Sequence, residues 1–379
     1  MNQKKLRICK NCVMDTSDPD IKFDSYGICD HCNTFNKKTF PNWINGNDNN
    51  KSITKIVSKI KGSSKGKDHD CLIGLSGGID SSYLTYLAKE VYGLNPLVFH
   101  VDAGWNTQIA VNNIEKLVDK LNLDLYTEVI NWEEMRDLQL SFFKSGVPHI
   151  DTPQDHAFFA TMYKFASKYN IKWILTGGNI STECIRNPVS WMYYQTDSRQ
   201  LLDIHKKFGK LKLSSFPITS ILWHKIWLKY FRGIKVERLL DLVKYKKEDA
   251  KNLLINKFEW QPYPQKHFES RFTKFYESFW LPKRFGFDIR KVQYSSLILT
   301  GQLTREKALE MINKPSYDGA SINDDIEYIS NKLNISQEEL LSYLKQPLKS
   351  YKDYKNIRLI YKIGSKILSM TNNEIGIKR

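Results

Sequence analysis

The sequence predicts an α/β protein in which a doubly wound parallel sheet follows a four-cysteine knuckle and precedes a helical carboxyl-terminal region. Three observations point there. Four of the six cysteines fall within the first 32 residues as two Cys-x-x-Cys pairs. From residue 70, short apolar runs alternate with helix-period stripes, which is the rhythm of βαβ units. From residue 302 the chain reads as short helices.

A chain of 379 residues suits one large domain with attachments. Its 41% hydrophobic and 13% aromatic content is that of an ordinary globular protein. No run approaches the roughly 20 apolar residues of a membrane-spanning helix. MNQKKLRICKNC carries basic residues with no apolar segment behind them, so no secretory signal is expected and the chain is placed in the cytoplasm. The balance of 57 Lys and Arg against 41 Asp and Glu gives +16. That excess suits anionic partners, and it equally suits a general Lys, Asn and Ile bias along the chain.

Residues 1–40 form the knuckle. Cys9 and Cys12 make one pair and Cys29 and Cys32 the other, with sixteen residues between. Each pair can aim two thiolates at one ion, and DSYG at 24–27 supplies the turn that brings the pairs together. A closed four-sulfur set leaves no position for water, so the expected ion is structural Zn²⁺, holding a segment too small to fold alone. Two redox pairs or an iron–sulfur cluster are the other readings. His31, between two ligands, is read as a bystander.

Residues 41–69 are polar, a linker with one short helix at about 51–61. The sheet domain is expected over 70–200, with strands CLIGL at 71–75, PLVFHV at 96–101, DLYTEVI at 124–130 and IKWILT at 171–176. Helix stripes lie between them: Leu84, Leu87, Ala88 and Val91; Ile114, Leu117, Val118 and Leu121; Phe158, Met162, Phe165 and Ala166. A helical extension over 201–300 and a helical region over 301–379 complete the chain. Ligands of parallel sheets collect at the carboxyl ends of the strands. Those ends carry SGGIDSS, HVDAGW and TGGN.

SGGIDSS at 76–82 has the chemistry of a phosphate loop. Gly77 and Gly78 let the backbone approach a phosphate, and the helix starting near Ser81 offers free N–H groups. Ser76, Ser81 and Ser82 add hydroxyl donors, and Asp80 suits Mg²⁺. A G-x-x-x-x-G-K-[ST] loop would put lysine on the β and γ phosphates. Its absence points to a loop that grips a departing pyrophosphate while the α phosphate is attacked. The other reading is a chance Ser/Gly-rich turn.

SGGIDSS resembles the SGGxDS loop of the N-type ATP pyrophosphatases, or PP-loop enzymes, whose fold is that of the adenine nucleotide alpha hydrolases. Nearly the whole chain is similar to the N-acetyl sugar amidotransferases of bacterial surface polysaccharide synthesis, the WbpG and PseA type. The segments that carry this are RICKNCVMDTSDPDIKFDSYGICDHC, LIGLSGGIDSS with GLNPLVFHVDAGWNT, and KHFESRFTKFYESFWLPKRFGFDIRKVQYSSLILTGQLTREKALE. IHKKFG at 204–209 and SYKDYKN near the end also fit.

The resemblance implies ATP-dependent conversion of an acetamido group on a lipopolysaccharide or O-antigen sugar to an acetamidino group through an O-adenylyl imidate. Ser76, Gly77, Gly78, Asp80, Ser81 and Ser82 would grip the pyrophosphate. His100, Asp102 and Gly104 would lie near adenine and ribose, with Gly177 and Gly178 closing the cleft. In KHFESRFTKFY, Glu269 would join Asp80 on Mg²⁺, and Arg271 and Lys274 would neutralise charge. The competing reading is an amphipathic surface helix whose buried stripe is Phe268, Phe272, Phe275 and Phe279.

A self-contained glutaminase needs a nucleophilic cysteine, at a mature amino terminus or on an elbow with a His partner. Cys71 lies in a strand and Cys184 in TECIRNP has no elbow. Ammonia is therefore expected from outside. The resemblance implies a glutaminase and a cyclase-like barrel subunit, similar to the histidine-pathway synthase pair. Two rivals stand: a tRNA-thiolating PP-loop enzyme, disfavoured because only Cys71 and Cys184 remain after the knuckle, and a nonenzymatic zinc-knuckle nucleotide-binding adaptor. Nucleic acid is not the expected partner. In residues 216–235, Leu222, Trp223, Ile226, Trp227, Tyr230 and Phe231 form an apolar stripe with Lys225, Lys229, Arg232 and Lys235 beside it. It suits domain packing, a dock for the ammonia-supplying subunits, or peripheral contact with the inner face of a membrane.

Overall fold

The computed structural model describes residues 6–43, 50–220, 223 and 230–371. Five strands, β1 (Cys71–Gly74), β2 (Pro96–Asp102), β3 (Leu125–Val129), β4 (Trp173–Leu175) and β5 (Lys235–Glu237), form one sheet in the order β3-β2-β1-β4-β5. Every neighbouring pair is parallel, and Ile73 of the central strand sits opposite Val98 on one side and Leu175 on the other. The four expected strands are present. The edge strand β5 has no counterpart in the sequence reading, because its three residues follow the apolar stripe directly.

Alternation along the strands builds a core on each face. Cys71, Ile73, Val98, Trp173 and Leu175 face one core, covered by the helices Asn50–Ser63, Ile79–Tyr86, Gln108–Leu121 and Lys247–Phe258. Leu72, Phe99, Val101 and Ile174 face the other, which the helices Trp132–Ser145 and Thr152–Lys168, the knuckle and the carboxyl-terminal helices share. The sheet is thus wrapped on both faces.

The helix Trp132–Ser145 also escaped the sequence reading, since it buries Glu134, Asp137, Gln139 and Ser141 beside its apolar residues. Those acids have a task. Glu134 accepts from the backbone N–H groups of Ser214, Ser215 and Phe216 at 2.6–3.0 Å, and Asp137 accepts from those of Lys210 and Leu211. They tie down an irregular segment that is exposed over Lys210, Leu211, Ser214 and Ser215 and becomes buried at Phe216.

The knuckle docks on residues 291–305. Arg305 donates to the carbonyls of Cys9 (2.9 Å) and Cys12 (3.1 Å), Val13 N–H to Ser295 Oγ (3.1 Å), and Lys291 pairs with Asp15 (2.6 Å). Phe268, Phe272, Phe275 and Phe279 are buried, so the aromatic stripe is core. Among the described residues no helix is long and apolar enough to cross a membrane. Of the 216–235 stripe, Leu222, Lys225, Ile226, Trp227 and Lys229 lie outside the described residues, while Tyr230 and Phe231 are exposed.

Candidate functional site

β1 and β4 are neighbours in the sheet, but the chain leaves β1 to pair with β2 on the other side before it returns as β4. The order of connection therefore reverses between them, and the loops at their carboxyl ends diverge to leave a crevice. One loop is Leu75–Asp80, the other Thr176–Asn179. Gly77 takes φ +81°, and a Cβ there would fall 2.7 Å from the Ala110 carbonyl oxygen, so only glycine fits. A Cβ on Gly177 would fall 2.9 Å from Ser81 N, which is how closely the two loops approach.

The crevice holds a cavity of about 250 Å³. Ser76, Gly78, Asp80 and Ser81 line it from the first loop and Gly177 from the second. The helix Ile79–Tyr86 starts at its floor, aiming unpaired N–H groups and a positive dipole end inward. Asp80, Glu183 and Glu269 supply acid; Lys247, Lys251, Lys266 and His267 supply base. The wall opposite the loop carries Trp260 and Tyr263, which also fasten the loop by donating to the Gly77 carbonyl at 3.1 and 3.2 Å.

The lysine that the loop lacks arrives from a distant part of the chain. Lys266 Nζ lies 3.0 Å from Asp80 Oδ2 and 2.5 Å from Glu183 Oε1. Burial alone would lower its pKa; the Asp80 and Glu183 carboxylates overcome this and hold it above the usual lysine value. Burial would conversely raise Asp80, but Lys266 and the Tyr245 hydroxyl, 2.5 Å from Oδ1, keep that carboxyl below its ordinary value. Asn179 of the second loop also donates to Asp80, at 3.2 Å. Lys247 is pushed down by burial, with Asp80 opposing. A cation-rich, partly desolvated cavity over a glycine loop and a helix start is suited to a polyphosphate.

Glu269 reaches the loop from the segment before the helix Arg271–Phe275. Its Oε1 accepts from Ser76 Oγ at 3.2 Å, and its backbone carbonyl accepts from Thr107 N–H at 2.9 Å. Asp80 and Glu269 are oxygen donors beside the place a polyphosphate would occupy, which is the donor set a hard cation takes. Among the described residues no three carboxylates converge here as tightly as the four cysteines do, so Mg²⁺ would lean on phosphate oxygens for the rest of its shell.

Other expected residues lie elsewhere. Ser82 Oγ is buried with no hydrogen-bond partner, facing the core side of its helix. His100 is buried at the end of β2, its Nδ1 2.8 Å from the Leu75 carbonyl and its Nε2 2.9 Å from Asn106 Nδ2; burial lowers its pKa, so it is a neutral brace. Asp102 caps its own turn through Gly104 N–H and Asn106. Gly104 lies against Trp132, and its carbonyl accepts from Lys332. Gly178 is turned toward Arg238, which donates to its carbonyl at 3.0 Å. Arg271 and Lys274 both pair with buried Asp325, at 2.8 and 2.7 Å, and the Arg271 guanidinium lies 4.0 Å from the centre of the Tyr328 ring. None of these lines the cavity; the lysines that do are Lys247, Lys251 and Lys266.

The sequence reading missed those three lysines, with Glu183 and Tyr245. Lys266 had one signal: it opens KHFESRFTKFY, the segment already singled out, though no role was given to it there. Lys247 and Lys251, one turn apart at the start of a helix, have no signal beyond a surface pair.

The four cysteines are all buried. Their sulfurs are 3.6 Å (Cys29 to Cys32), 3.7 Å (Cys12 to Cys29) and 3.9 Å (Cys9 to Cys32) apart. A tetrahedral ion bound at about 2.3 Å requires edges of about 3.8 Å, so the set fits. Backbone N–H groups of Cys12 and Cys29 point at Cys9 Sγ, at 3.5 and 3.2 Å, as suits a thiolate. His31 is bound to Asp18 at 3.0 Å, outside the set. Cys184 is buried against the Ser296 carbonyl and pushed up to about 12 by burial, and burial also raises buried Cys71, so neither is a poised nucleophile.

Residues 269–368 match the family model described as LPS biosynthesis protein WbpG-like, C-terminal domain. The chain is 22% identical over 318 residues to an uncharacterized protein of Methanocaldococcus jannaschii, a match covering 81% of this chain and 93% of that one. It is 29% identical over 120 residues to the tRNA-specific 2-thiouridylase MnmA 2 of Fusobacterium nucleatum, covering 30% of this chain and 34% of the relative. Among solved structures, the NH3-dependent NAD synthetase from Campylobacter jejuni aligns at 16% identity with a TM-score of 0.30, covering 80% of this chain and 99% of that one.

Proposed function

We propose that this chain is a PP-loop enzyme of the WbpG-like kind that opens ATP between its α and β phosphates and converts the acetamido group of a surface-polysaccharide sugar to an acetamidino group. The observation that carries the reading is where the WbpG-like segment begins. It starts at Glu269, which lines the cavity and whose carboxylate meets Ser76 of the loop, so the matched segment begins against the phosphate-type loop.

An amide oxygen leaves poorly, so it is first made into a phosphate ester. The substrate carbonyl oxygen attacks the α phosphorus, pyrophosphate departs, and ammonia then adds to the activated carbon as AMP leaves. Ser76, Ser81 and the helix start hold the departing pyrophosphate, while Lys266, Lys247 and Lys251 meet the charge that accumulates on it. Asp80 sets Lys266 in place, and Tyr245 and Asn179 set Asp80. Mg²⁺ on Asp80 and Glu269 would supply further stabilisation of charge on phosphate oxygens. The knuckle would carry Zn²⁺ as a structural ion. Ammonia would come from a separate glutaminase through a cyclase-like barrel subunit, since Cys71 and Cys184 are buried.

The test is incubation with ATP, Mg²⁺, ammonium and a panel of acetamido sugars, nucleotide-linked, free and lipid-linked, with mass spectrometry of the products. A sugar lighter by about one mass unit, formed with AMP, supports the reading. Modification of tRNA with every sugar unchanged would replace it with the thiolase reading, and no ATP turnover with any substrate would favour an adaptor.

A further inference from the structure

The helix Gln108–Leu121 contributes nothing to the cavity lining, yet three segments that do line it are fastened to this helix. Ala110 meets Gly77 of the loop at a distance that only glycine allows. Thr107, which caps the helix, donates from its N–H (2.9 Å) and its Oγ1 (3.1 Å) to the carbonyl of Glu269. Asn113 holds the wall. Its Nδ2 donates to the Gln261 carbonyl at 2.9 Å, and its Oδ1 accepts from Gln261 N–H at 2.7 Å. Asparagine is disfavoured inside a helix and this one is 1% exposed, so the clamp is the reason for it.

Asn113 also starts a hydrogen-bond relay into the loop. Its Nδ2 donates to the Tyr263 hydroxyl at 3.2 Å, and that hydroxyl donates to the Gly77 carbonyl at 3.2 Å. A hydroxyl has one proton to give, and with Asn113 donating to its oxygen the proton is turned toward Gly77. Trp260 Nε1 donates to the same carbonyl at 3.1 Å. In a trans peptide the C=O of one residue and the N–H of the next point in opposite directions. Holding the Gly77 carbonyl therefore turns Gly78 N–H away from Trp260 and Tyr263. That N–H donates to Ser76 Oγ at 3.3 Å, and Ser76 Oγ donates to Glu269 Oε1 at 3.2 Å. The relay leaves the helix at Asn113 and returns to it through Glu269 and Thr107, with each bond polarising the next.

We infer that Asn113 and Tyr263 are positioning residues that lock the Gly77–Gly78 peptide and so aim its N–H and the Ser76 hydroxyl at a pyrophosphate oxygen. Asn113 acts through Tyr263, and Tyr263 acts through the peptide. A peptide between two glycines has no side chain to restrain its rotation, which is why it needs outside donors. Turned over, it would present the partial negative charge of the Gly77 carbonyl where the N–H now lies and repel the ligand that the loop is built to hold. The use of the lock rests on the reading that the cavity takes a polyphosphate; the lock itself rests on the hydrogen bonds.

The chain has two Gly-Gly peptides, Gly77–Gly78 and Gly177–Gly178. Protein made with glycine carrying ¹³C in its carbonyl and ¹⁵N in its amide gives one peak for each when carbonyl carbon is correlated with the following amide. Gly178→Ala removes one of them and so assigns both. Tyr263→Phe deletes the hydroxyl, and Asn113→Asp replaces its donor with a carboxylate that takes the Tyr263 proton for itself. In both variants the Gly77–Gly78 carbonyl is expected to move upfield as it loses a donor, with the Gly177–Gly178 peak in place. An unmoved Gly77–Gly78 peak in either variant, or movement of both peaks, overturns the lock.

Calorimetry with Mg²⁺-pyrophosphate reads what the lock is for. Each variant is expected to raise Kd about threefold to tenfold, and the double variant no more than about twofold beyond the larger single effect, because both break one relay. A smaller rise in either single variant, or a larger combined effect, overturns the positioning role. If wild-type protein binds no pyrophosphate, it is the polyphosphate reading that fails, and the two peaks still decide the lock.

Discussion

At the scale of single residues, Lys266 bears most of the account. It is largely buried, charged and shared between Asp80 and Glu183, so Lys266→Met removes the cation at the loop and also leaves two acids facing one another. Pyrophosphate release is expected to fall by about 100-fold or more. Ser82→Ala is the contrast. Its hydroxyl is buried and unpaired, so the variant is expected to lose no stability, gaining up to about 1–3 kcal/mol, and to keep its ATP turnover, measured by urea unfolding and steady-state rate. Lys274→Met breaks a pair with Asp325 rather than a contact in the cavity. Urea unfolding should show a loss of about 1–3 kcal/mol with the affinity for ATP little changed. The His267–Glu277 pair gives a pH signature. Since the folded pKa of His267 is raised to about 9, its stabilisation is whole below the ordinary histidine value near 6.5 and is lost as pH rises through about 9. Thermal unfolding from pH 6 to 10 should show this decline in wild type and a flatter profile in His267→Asn, a replacement chosen because Asn tolerates the left-handed backbone that His267 holds at φ +67°.

At the scale of elements, the crevice depends on backbone approach. Gly77→Ala combines a disfavoured φ with a 2.7 Å collision against the Ala110 carbonyl, and neither the loop nor the helix Gln108–Leu121 can yield without moving the other. The expected result is loss of ATP binding by calorimetry with the far-ultraviolet circular dichroism of the fold retained. This loop was legible in sequence because glycine and hydroxyl residues between a strand and a helix constrain each other locally. The elements that the sequence concealed are those whose reason is tertiary. Trp132–Ser145 hides its period by burying acids that serve a remote loop, and β5 is only three residues long. HVDAGW ends a strand as SGGIDSS does, but β2 lies on the side of β1 away from β4, and His100, Asp102 and Gly104 do not line the cavity.

At the scale of the whole molecule, the knuckle, the sheet and the WbpG-like segment share a core, and the knuckle is fastened to residues 291–305 by Lys291, Ser295 and Arg305. Removing the metal should therefore loosen more than the knuckle. A strong chelator with mild denaturant is expected to release one zinc per chain, measured by elemental mass spectrometry, and to lower the melting temperature in one cooperative transition. The cavity itself was only half legible for the same reason. Ser76, Gly78, Asp80, Ser81 and Gly177 come from two strand ends and Lys266, His267 and Glu269 from the KHFESRFTKFY segment, but Lys247 and Lys251 come from a helix whose approach no local pattern reports. The central claim is that the substrate amide oxygen attacks the α phosphorus. The most direct measurement uses an acetamido sugar labelled with ¹⁸O in its carbonyl and follows the label by mass spectrometry. One ¹⁸O in AMP for each amidine formed is expected; label in inorganic phosphate, or amidine formed with unlabelled AMP, would contradict the account.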